Sequence, residues 1–464
     1  MPLIIPGNSQ ASTGYTIDQS IRFNDDDNPY MGRTPSATGT EETWTWSFWV
    51  KRATLGTLQV LFQIGADKNN CDQFYFNTDD QLQYQHLDSG SNTDDLETTQ
   101  VFRDPSAWIH IILAADTTNA VESERIRIYV NGERVTNFAT ENYPTQNTPT
   151  DVNTQVLHQI GAQLSATYFP FDGYMAEIHL LDGLAYDPSF FGEFNDSGIW
   201  IPKEYTGSYG TNGFKIDGRD SSDLGDDESG NGNDFTTSGL AAHDQVLDSP
   251  TNNFCVMNVI ENVPCNFSEG NLTLDSTANF SGNAIRGTVH IKGGSTGKWY
   301  YEVVGSLTGD YWGTGWMLSS IINPSGTVIG QESGSVGFYN TGSYQNTTNV
   351  QGAITKPAAG DVIGVGLDAS TGQVFLRDDT GYYVGTLSSN VLSNGVVITG
   401  FSGEDLVMAS RNSSSGTCTY NFGQDGTFAG VKTAQGNTDA NGIGNFFYTV
   451  PDGFLAICTK NLGS

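Results

Sequence analysis

Apolar and polar residues alternate with a period of two along most of the first half of the chain, which predicts β-strands. From Trp44 to Val50, the alternation places Trp44 and Trp46 on one strand face and Trp49 on the other, and we expect all three to be buried. No segment keeps a helical period over three turns. Further strands are predicted at residues 58–64, 73–76, 108–114 and 174–181. The first half therefore reads as all-β.

A hairpin is predicted where residues 125–130 alternate and then reach Asn131-Gly132. Asn-Gly between two alternating runs favours a type I′ turn, because both turn positions need positive φ. Strand patterns return late in the chain, at residues 298–304, 361–368 and 373–377. Many short strands with Gly and Asn turns favour sandwiches over βαβ units. The predicted fold class is all-β, with two tandem β-sandwiches.

The composition changes between the two predicted sandwiches, where Gly, Asn, Ser and Asp dominate. These are turn residues, and a long polar stretch favours a domain boundary. We therefore predict four parts along the chain, namely an N-terminal arm (1–20), a first sandwich (21–200), a Gly/Asp/Asn-rich connector (201–253) and a second sandwich (254–464).

Charge narrows the classes of partner. The chain has 464 residues, with 20 Lys plus Arg against 52 Asp plus Glu and a net charge of −32. Phosphate binding needs a basic surface, so no nucleic-acid partner is expected. No apolar run approaches the roughly 20 residues of a membrane span, so no membrane insertion is expected.

The first half contains a series of motifs which, in chain order, are Ile21–Asp27, Thr34-Pro35, Trp44–Arg52, Ile128–Glu133, Phe171–His179, Asp182–Asp187, Pro202–Gly207 and Tyr209–Phe214. With these motifs, the first half resembles the concanavalin A-like (laminin G-like) sandwich domains of bacteriophage structural proteins. Among the motifs, Phe171-Asp-Gly is expected to form a turn. Met175, Glu177 and His179 are expected to alternate with the inward-facing residues of a closing strand.

The second half contains the motifs Gly297–Val303, Gly313–Trp316, Gly360–Asp368 and Gly372–Phe375. In this order they resemble those of a SPRY-like jelly-roll sandwich. One departure follows the last of these, where the family often has Asn-Gly but this chain has Asp378-Asp-Thr-Gly381.

Together the two resemblances imply a virion structural protein of a bacteriophage, of the tail fibre, head fibre or capsid decoration type. We expect it to be displayed on the particle, to form a homo-oligomer and to mediate weak multivalent adhesion to host-surface carbohydrate. The N-terminal arm, with Leu3, Ile4 and Ile5, is expected to dock on other virion proteins of the capsid or tail, or else to add an edge strand to its own domain. The alternative is a glycoside hydrolase that degrades host polysaccharide on the same fold.

The chemistry of a glucanase was sought and not found. Those enzymes carry two carboxylates on one strand in a Glu-x-Asp pattern, and none of the glutamates in this chain is followed by Asp two residues later. The sequence therefore predicts no catalytic residues and no cofactor. The acidic loops Asp25–Asn28 and Asp217–Asp226 offer oxygen ligands for calcium, but neither has the EF-hand order, so no metal site is assigned.

Binding residues are predicted among aromatics of the second half. Tyr311 and Trp312 follow Gly309-Asp310, and Tyr344 lies between Gly342 and Asn346. Glycine and polar neighbours favour loops, and aromatic side chains on loops can stack on sugar rings or pack on a partner.

Overall fold

The computed structural model describes residues 14–164, 169–261, 265–276, 284–305, 312–321, 329–330, 333–339, 343–345, 360–412 and 416–462. These residues form two compact units, one ending at Asn252 and the other beginning at Asn253. Both units are built almost entirely from strands, which confirms the all-β prediction of two tandem β-sandwiches. No helix within the described ranges is long and apolar enough to cross a membrane.

The strands of the first unit are β1 (Ser20–Phe23), β2 (Tyr30–Arg33), β3 (Thr43–Arg52), β4 (Gln59–Asp67), β5 (Asn70–Phe76), β6 (Gln81–Asp88), β7 (Ser91–Val101), β8 (Ile109–Asp116), β9 (Ile126–Val130), β10 (Glu133–Arg134), β11 (Phe138–Asn142), β12 (Leu157–Ile160), β13 (Gly173–Asp182), β14 (Gly192–Phe194), β15 (Trp200–Pro202), β16 (Phe214–Ile216), β17 (Thr236–Ser238) and β18 (Gln245–Val246). Short 3-10 helices lie at Asp25–Asp27, Glu122–Glu124, Pro188–Phe190 and Ala242–Asp244.

Two antiparallel sheets enclose the core of the first unit. One has the order β10-β9-β8-β3-β13-β1-β18, with β16 also pairing β13, and the other has the order β11-β7-β6-β5-β4-β12-β2-β17. Trp44 and Trp46 lie in the core between the sheets, and Trp49 lies in a separate cluster on the opposite face of β3. The predicted hairpin is present, with φ of 48° at Asn131 and 82° at Gly132. Strand alternation alone was sufficient to predict these features.

The prediction of a connector over residues 201–253 is wrong. Strands β16, β17 and β18 belong to the first sandwich and pair with β13, β2 and β1. Phe214 and Phe235 lie in its core, with exposed fractions of 0% and 3%. The turn-rich composition misled because the polar residues hold the turns in place. Asp227 accepts hydrogen bonds from the backbone N–H of Lys215 (2.9 Å) and Asn233 (2.8 Å). The first sandwich therefore extends to Asn252, beyond the predicted end at residue 200.

The predicted N-terminal arm also ends earlier than expected. Residues 1–13 lie outside the described residues, but Ile17 is buried and its backbone N–H and C=O both bond the Thr251 hydroxyl, at 3.1 and 2.6 Å. Strand β1 then begins at Ser20. The part of the predicted arm from residue 15 onward therefore packs on the first sandwich.

The strands of the second unit are β19 (Asn266–Ser268), β20 (Thr273–Ser276), β21 (Ile285–Ile291), β22 (Lys298–Gly305), β23 (Trp312–Leu318), β24 (Ser335–Tyr339), β25 (Ser343–Gln345), β26 (Val362–Asp368), β27 (Gln373–Asp378), β28 (Gly381–Val384), β29 (Thr386–Ser388), β30 (Val391–Ser393), β31 (Val396–Val397), β32 (Leu406–Asn412), β33 (Gly416–Asn421) and β34 (Phe454–Ala456). A short helix, α1 (Thr459–Leu462), follows.

Two sheets also enclose the core of the second unit. One has the order β19-β20-β33-β22-β26-β27-β28, joined by β31 and β34, and the other has the order β21-β32-β23-β24-β25. The core between them is rich in aromatic side chains, including Trp316, Tyr301 and Tyr420. Asp378 and Gly381 pair across the turn between β27 and β28, so the Asp-Asp-Thr-Gly sequence makes a tight turn in place of Asn-Gly.

Candidate functional site

A row of amide side chains crosses the outer face of the second sheet of the first sandwich. The side chains that point into the core include Phe74 of β5, Tyr84 of β6 and Leu96 of β7. Because successive side chains in a strand point to opposite faces, Gln73 and Asp95 lie on the outer face. The strand register then sets residues of adjacent strands directly opposite one another on that face.

The amide row consists of Gln63, Gln73, Gln85 and Asp95, one residue from each of the adjacent strands β4 to β7. Gln63 Nε2 donates to Gln73 Oε1 at 2.9 Å, and Gln73 Nε2 donates to Gln85 Oε1 at 2.9 Å. Gln85 Nε2 then donates to Asp95 Oδ2 at 3.1 Å. The row is therefore a continuous hydrogen-bonded chain across four strands.

Both ends of the row fix which way each amide points. The carboxylate of Asp95 can only accept, so Gln85 must present its NH₂ to it. At the other end, the backbone N–H of Leu164 donates to Gln63 Oε1 at 2.6 Å, so the Gln63 NH₂ must face Gln73. The direction of the hydrogen bonds along the row therefore follows from the groups at its two ends. It does not depend on an arbitrary assignment of the amide oxygen and nitrogen atoms.

Polar groups beside the row extend the surface. Tyr75 donates its hydroxyl to Gln85 Oε1 at 2.8 Å, and Gln83 Nε2 donates to Asp95 Oδ1 at 2.7 Å. Two residues beyond Asp95 on β7, Glu97 accepts from Asn77 Nδ2 and Thr140 Oγ1, both at 2.9 Å. Donors and acceptors therefore cover this face on both sides of the row.

The row keeps unused hydrogen-bonding capacity. An amide side chain offers two N–H donors and two acceptor lone pairs, and Gln73 uses one of each, whereas both N–H groups of Gln63 and both lone pairs of Gln85 are already bonded. Gln73, Asp95 and Glu97 are partly exposed, whereas Gln85 is 8% exposed. A rigid, partly open lattice of planar donors and acceptors is suited to binding hydroxyl-rich ligands, because its geometry is set before the ligand arrives.

A serine and a histidine meet on the other sheet, but they are not arranged as a nucleophile and its base. Trp200 Nε1 donates to His110 Nδ1 at 3.0 Å, so the proton of neutral His110 is on Nε2, which lies 2.9 Å from Ser47 Oγ. Burial, helped by the neighbouring His179, lowers the pKa of His110 to about 3. The imidazole therefore donates to Ser47 and cannot take its proton through that nitrogen.

An ion cluster surrounds Glu177 on the same sheet. Burial alone would raise the pKa of Glu177, but the hydrogen bond and charge of His179, with Lys215 and Tyr15, lower it to about 2. Glu177 Oε1 lies 2.7 Å from the Tyr15 hydroxyl and 3.2 Å from Lys215 Nζ. A cleft of about 340 Å³ lies alongside, lined by Tyr15, Glu177, Asp217 and Arg219 among others. The carboxyl of Glu177 is thus held ionised.

The strand that carries Glu177 contains a bulge that the sequence did not reveal. The register between β13 and β3 shifts between Ala176 and His179, and Glu177 has a φ of 49°. Met175 consequently lies in the core while His179 packs in the outer layer, so these residues do not share one face as expected. Positive φ in a residue other than glycine is uncommon and costs backbone strain.

Two groups of side chains have the donor set and spacing for a metal ion. The ligand atoms of Asp72, His86 and Asp151 lie within 4.8 Å of one another, as do those of Asp361, Asp378 and Asp379. The acidic loops noted in the sequence are used differently. Asp25–Asp27 forms a 3-10 helix, and Asp217 pairs with Lys215 and Arg219 at 3.2 and 2.8 Å.

The aromatic residues predicted to bind are only partly covered by the structure. Tyr311 lies outside the described residues. Trp312 begins β23 opposite Asn412, and Tyr344 lies in β25 opposite Phe338. The expectation that Trp312 and Tyr344 lie on loops is therefore wrong, because backbone pairing continues through these glycine-flanked positions. Their role in binding stays a prediction.

The amide row itself was missed in the sequence. Its signal was present as glutamine at every second position of one strand, Gln81, Gln83 and Gln85, with Gln73 on the strand before. The alternation of apolar and polar residues identifies the apolar face of a strand, but it does not distinguish one kind of polar face from another. A polar face made of uncharged amides differs from an ordinary solvated face, which is usually rich in Lys and Glu.

Comparisons with known proteins place two domains in the chain. A family model described as the concanavalin A-like lectin/glucanases superfamily matches residues 25–185, and a SPRY domain model matches residues 298–411. No curated relative matches the chain.

Three of the solved structures that match parts of the chain do so at low identity. The PSpry domain of TRIM65 is 12% identical with a TM-score of 0.28, covering 36% of this chain and 88% of that chain. A putative carbohydrate binding protein from Bacteroides ovatus is 15% identical with a TM-score of 0.32, covering 49% and 60%. A heptameric SAP-like pentraxin from Limulus polyphemus is 15% identical with a TM-score of 0.28, covering 37% and 78%. From the two family matches, the chain contains a concanavalin A-like, laminin G-like domain followed by a SPRY domain.

Proposed function

We propose that the protein is a non-enzymatic adhesion protein of a bacteriophage particle, and that the amide row of its first sandwich binds carbohydrate of the host surface. The observation that carries the binding site is the continuous row from Gln63 to Asp95, whose donors and acceptors are fixed in direction and which is partly exposed at Gln73 and Asp95. Sugar hydroxyls both donate and accept, so they match a surface that offers both.

Around Glu177 and around Ser47, the state of the buried groups favours a binding role over hydrolysis. A glycosidase needs one carboxyl with a raised pKa to act as a general acid, together with a second carboxylate. Glu177, beside the cleft of the first sandwich, has the opposite shift, with its pKa lowered to about 2. His110 donates to Ser47 instead of activating it. These two arrangements support the non-enzymatic part of the proposal.

Display on a particle fits the expected affinity. A shallow sheet face buries little of a ligand, so one site should bind at about millimolar to micromolar level. Several copies can raise avidity by roughly 10²–10⁴ without new contacts. The net charge of −32 would keep closely spaced copies soluble and mutually repelled. We propose a homo-oligomer on the virion, docked on other virion proteins through its N-terminal arm.

Binding is tested with the full chain on an array of neutral, acidic and amino-sugar oligosaccharides, with hits titrated by calorimetry. Gln73→Ala combined with Gln85→Ala should weaken binding at least tenfold. The matched control is Gln146→Ala with Gln155→Ala, two exposed glutamines of the same sandwich that lie outside the row. If the Gln73→Ala, Gln85→Ala variant binds as tightly as the unmodified protein, the carbohydrate site is not the amide row. Release of new reducing ends from a bound glycan would favour the hydrolase.

The virion part is tested separately, by mass spectrometry of purified particles and by deleting residues 2–14. Because the chain packs on the sandwich from residue 15 onward, the truncated protein should fold. We expect it to be missing from particles. Normal incorporation would reject docking through the arm, and detection of the full chain only in infected cells would reject the virion role.

A further inference from the structure

Two carboxylates on the face of the amide row have only uncharged partners. Asp95 and Glu97 lie two residues apart on β7 and therefore on one face of the strand. Asp95 accepts from the amides of Gln83, Gln85 and Asn92, at 2.7, 3.1 and 3.2 Å.

Glu97 is bonded in the same way. It accepts from the Asn77 amide and the Thr140 hydroxyl, both at 2.9 Å. Both carboxylates are partly exposed, and within the described residues neither one contacts a lysine, arginine or histidine. The face therefore carries negative charge that no protein cation neutralises.

The effect of this charge extends to the centre of the face. The pKa of Tyr75 is raised above its ordinary value, first by burial and then by the negative charges of Asp95 and Glu97. The Tyr75 hydroxyl bonds Gln85 in the middle of the row. A ligand lying over Tyr75 and β7 would therefore meet the negative charge of Asp95 and Glu97.

We infer that the amide row selects carbohydrate chains that carry protonated amino groups, with the ammonium bound over Asp95 and Glu97. This rests on the proposed carbohydrate-binding function. An ammonium donates to carboxylate oxygens in charge-assisted hydrogen bonds, which are roughly twice as strong as neutral ones. Sugar hydroxyls along the same chain would bond the amides of Gln73 and its neighbours.

Acidic polysaccharides are disfavoured by the same charges. A uronate or sulfate group placed on this face would meet Asp95 and Glu97 at close range. Like charges brought together without a counter-ion repel, and burial strengthens the repulsion. The selectivity therefore needs no residue beyond those that form the face.

The cleanest variant is Glu97→Gln. The Thr140 hydroxyl can rotate to accept from the new amide, so the local hydrogen bonds survive while the charge is removed. Asp95→Asn is less suitable, because both oxygens of Asp95 accept from amide NH₂ groups, so the new NH₂ would face the NH₂ of either Gln83 or Gln85. The matched control is Asp223→Asn, which removes the same charge from an exposed residue of the same sandwich.

The experiment titrates the full chain with a chitosan pentamer, with N-acetylchitopentaose and with an oligogalacturonate of equal length, at a pH where the chitosan amines are protonated. We expect the chitosan pentamer to bind about tenfold more tightly than the acetylated one, and the oligogalacturonate not to bind. Glu97→Gln should reduce that preference to about threefold or less, while Asp223→Asn leaves it unchanged.

The outcomes separate the two claims. Equal binding of the chitosan and acetylated pentamers would contradict the selectivity but not the carbohydrate site. The same holds if Glu97→Gln and Asp223→Asn reduce the preference for chitosan equally. Binding of the oligogalacturonate as tightly as chitosan would also overturn it. Absence of binding by every oligosaccharide on the array would reject the proposed function itself, and the selectivity with it.

Discussion

Each sandwich carries polar side chains on the outer face of a sheet, but only one of the two faces is sealed. In the second sandwich, Glu302 points outward from β22 and is nonetheless fully buried. It accepts hydrogen bonds from the backbone N–H of Phe447 and Tyr448, both at 2.8 Å. In the first sandwich, the amides of β4 to β7 bond one another, and Gln73 stays partly exposed.

The difference lies in what supplies the hydrogen bonds. A later segment of the chain covers Glu302, with the Tyr300 hydroxyl and the Asn421 amide as further donors at 3.1 and 3.4 Å. Apart from the backbone N–H of Leu164 at one end, the amide row is bonded by side chains of its own sheet. A polar face that is complete without a covering segment can remain available to a ligand, whereas a buried carboxylate needs the segment that seals it.

The largest effect should come from the core of the first sandwich. Phe235 lies in the segment that the sequence predicted to be a connector, with its ring centroid 4.7 Å from that of Phe214. Phe235→Ala leaves a cavity and should lower the free energy of unfolding of the first sandwich by about 3–5 kcal/mol. Two-transition chemical denaturation of the full chain measures this. If the unfolding transition of the first sandwich is unchanged in Phe235→Ala, residues 201–252 are a connector and do not belong to its core.

Glu302→Ala should destabilise the second sandwich by about 3 kcal/mol. The substitution leaves the N–H groups of Phe447 and Tyr448 buried without an acceptor, and each unsatisfied group costs about 1–3 kcal/mol. Gln73→Ala is the contrasting variant, because water can reach its partly exposed neighbours, and we expect a cost below about 1 kcal/mol. Similar losses in the two variants would contradict the distinction between a sealed and an open face.

The two buried glutamates should give opposite pH dependences. Burial raises the pKa of Glu302 to about 7, despite the hydrogen bonds it accepts, so the folded state holds a proton that the unfolded state releases above about 4.5. Stability of the second sandwich should fall as pH rises from about 4.5 to 7. Glu177, with its pKa lowered to about 2, contributes stability above about 4.5 that is lost as pH falls towards 2. Unfolding followed against pH measures both.

Glu302→Gln should remove the first of these pH dependences and Glu177→Gln the second. Each variant serves as the control for the other, since the two residues lie in different sandwiches. If the pH dependence of stability persists in the variant that lacks the corresponding glutamate, that pH dependence belongs to another titratable group.

Much of the fold could be predicted because strand alternation and turn chemistry are local. The Trp44 strand and the Asn131-Gly132 hairpin required only neighbouring residues. The bulge at Glu177 could not be predicted in this way, because the groups that bond its side chain, Tyr15 and Lys215, are far from it in sequence. The buried positions of Phe214 and Phe235 were hidden by the turn residues around them.

The candidate site was harder to predict than the fold. The amide row depends on register, which sets Gln63, Gln73, Gln85 and Asp95 opposite one another on four strands. Register is a property of paired strands and is not visible in any one of them. The aromatic residues chosen instead from glycine-rich context included two, Trp312 and Tyr344, that lie in strands.

The most direct test of the carbohydrate site is a crystal structure of the full chain with the oligosaccharide that binds most tightly on the array. We expect a sugar chain that lies across β5, β6 and β7, with hydroxyls within hydrogen-bonding distance of Gln73 and Asp95. The direction of the hydrogen bonds along the row should be unchanged. A sugar bound in the cleft beside Glu177, or on the second sandwich, with the row uncovered, would contradict it.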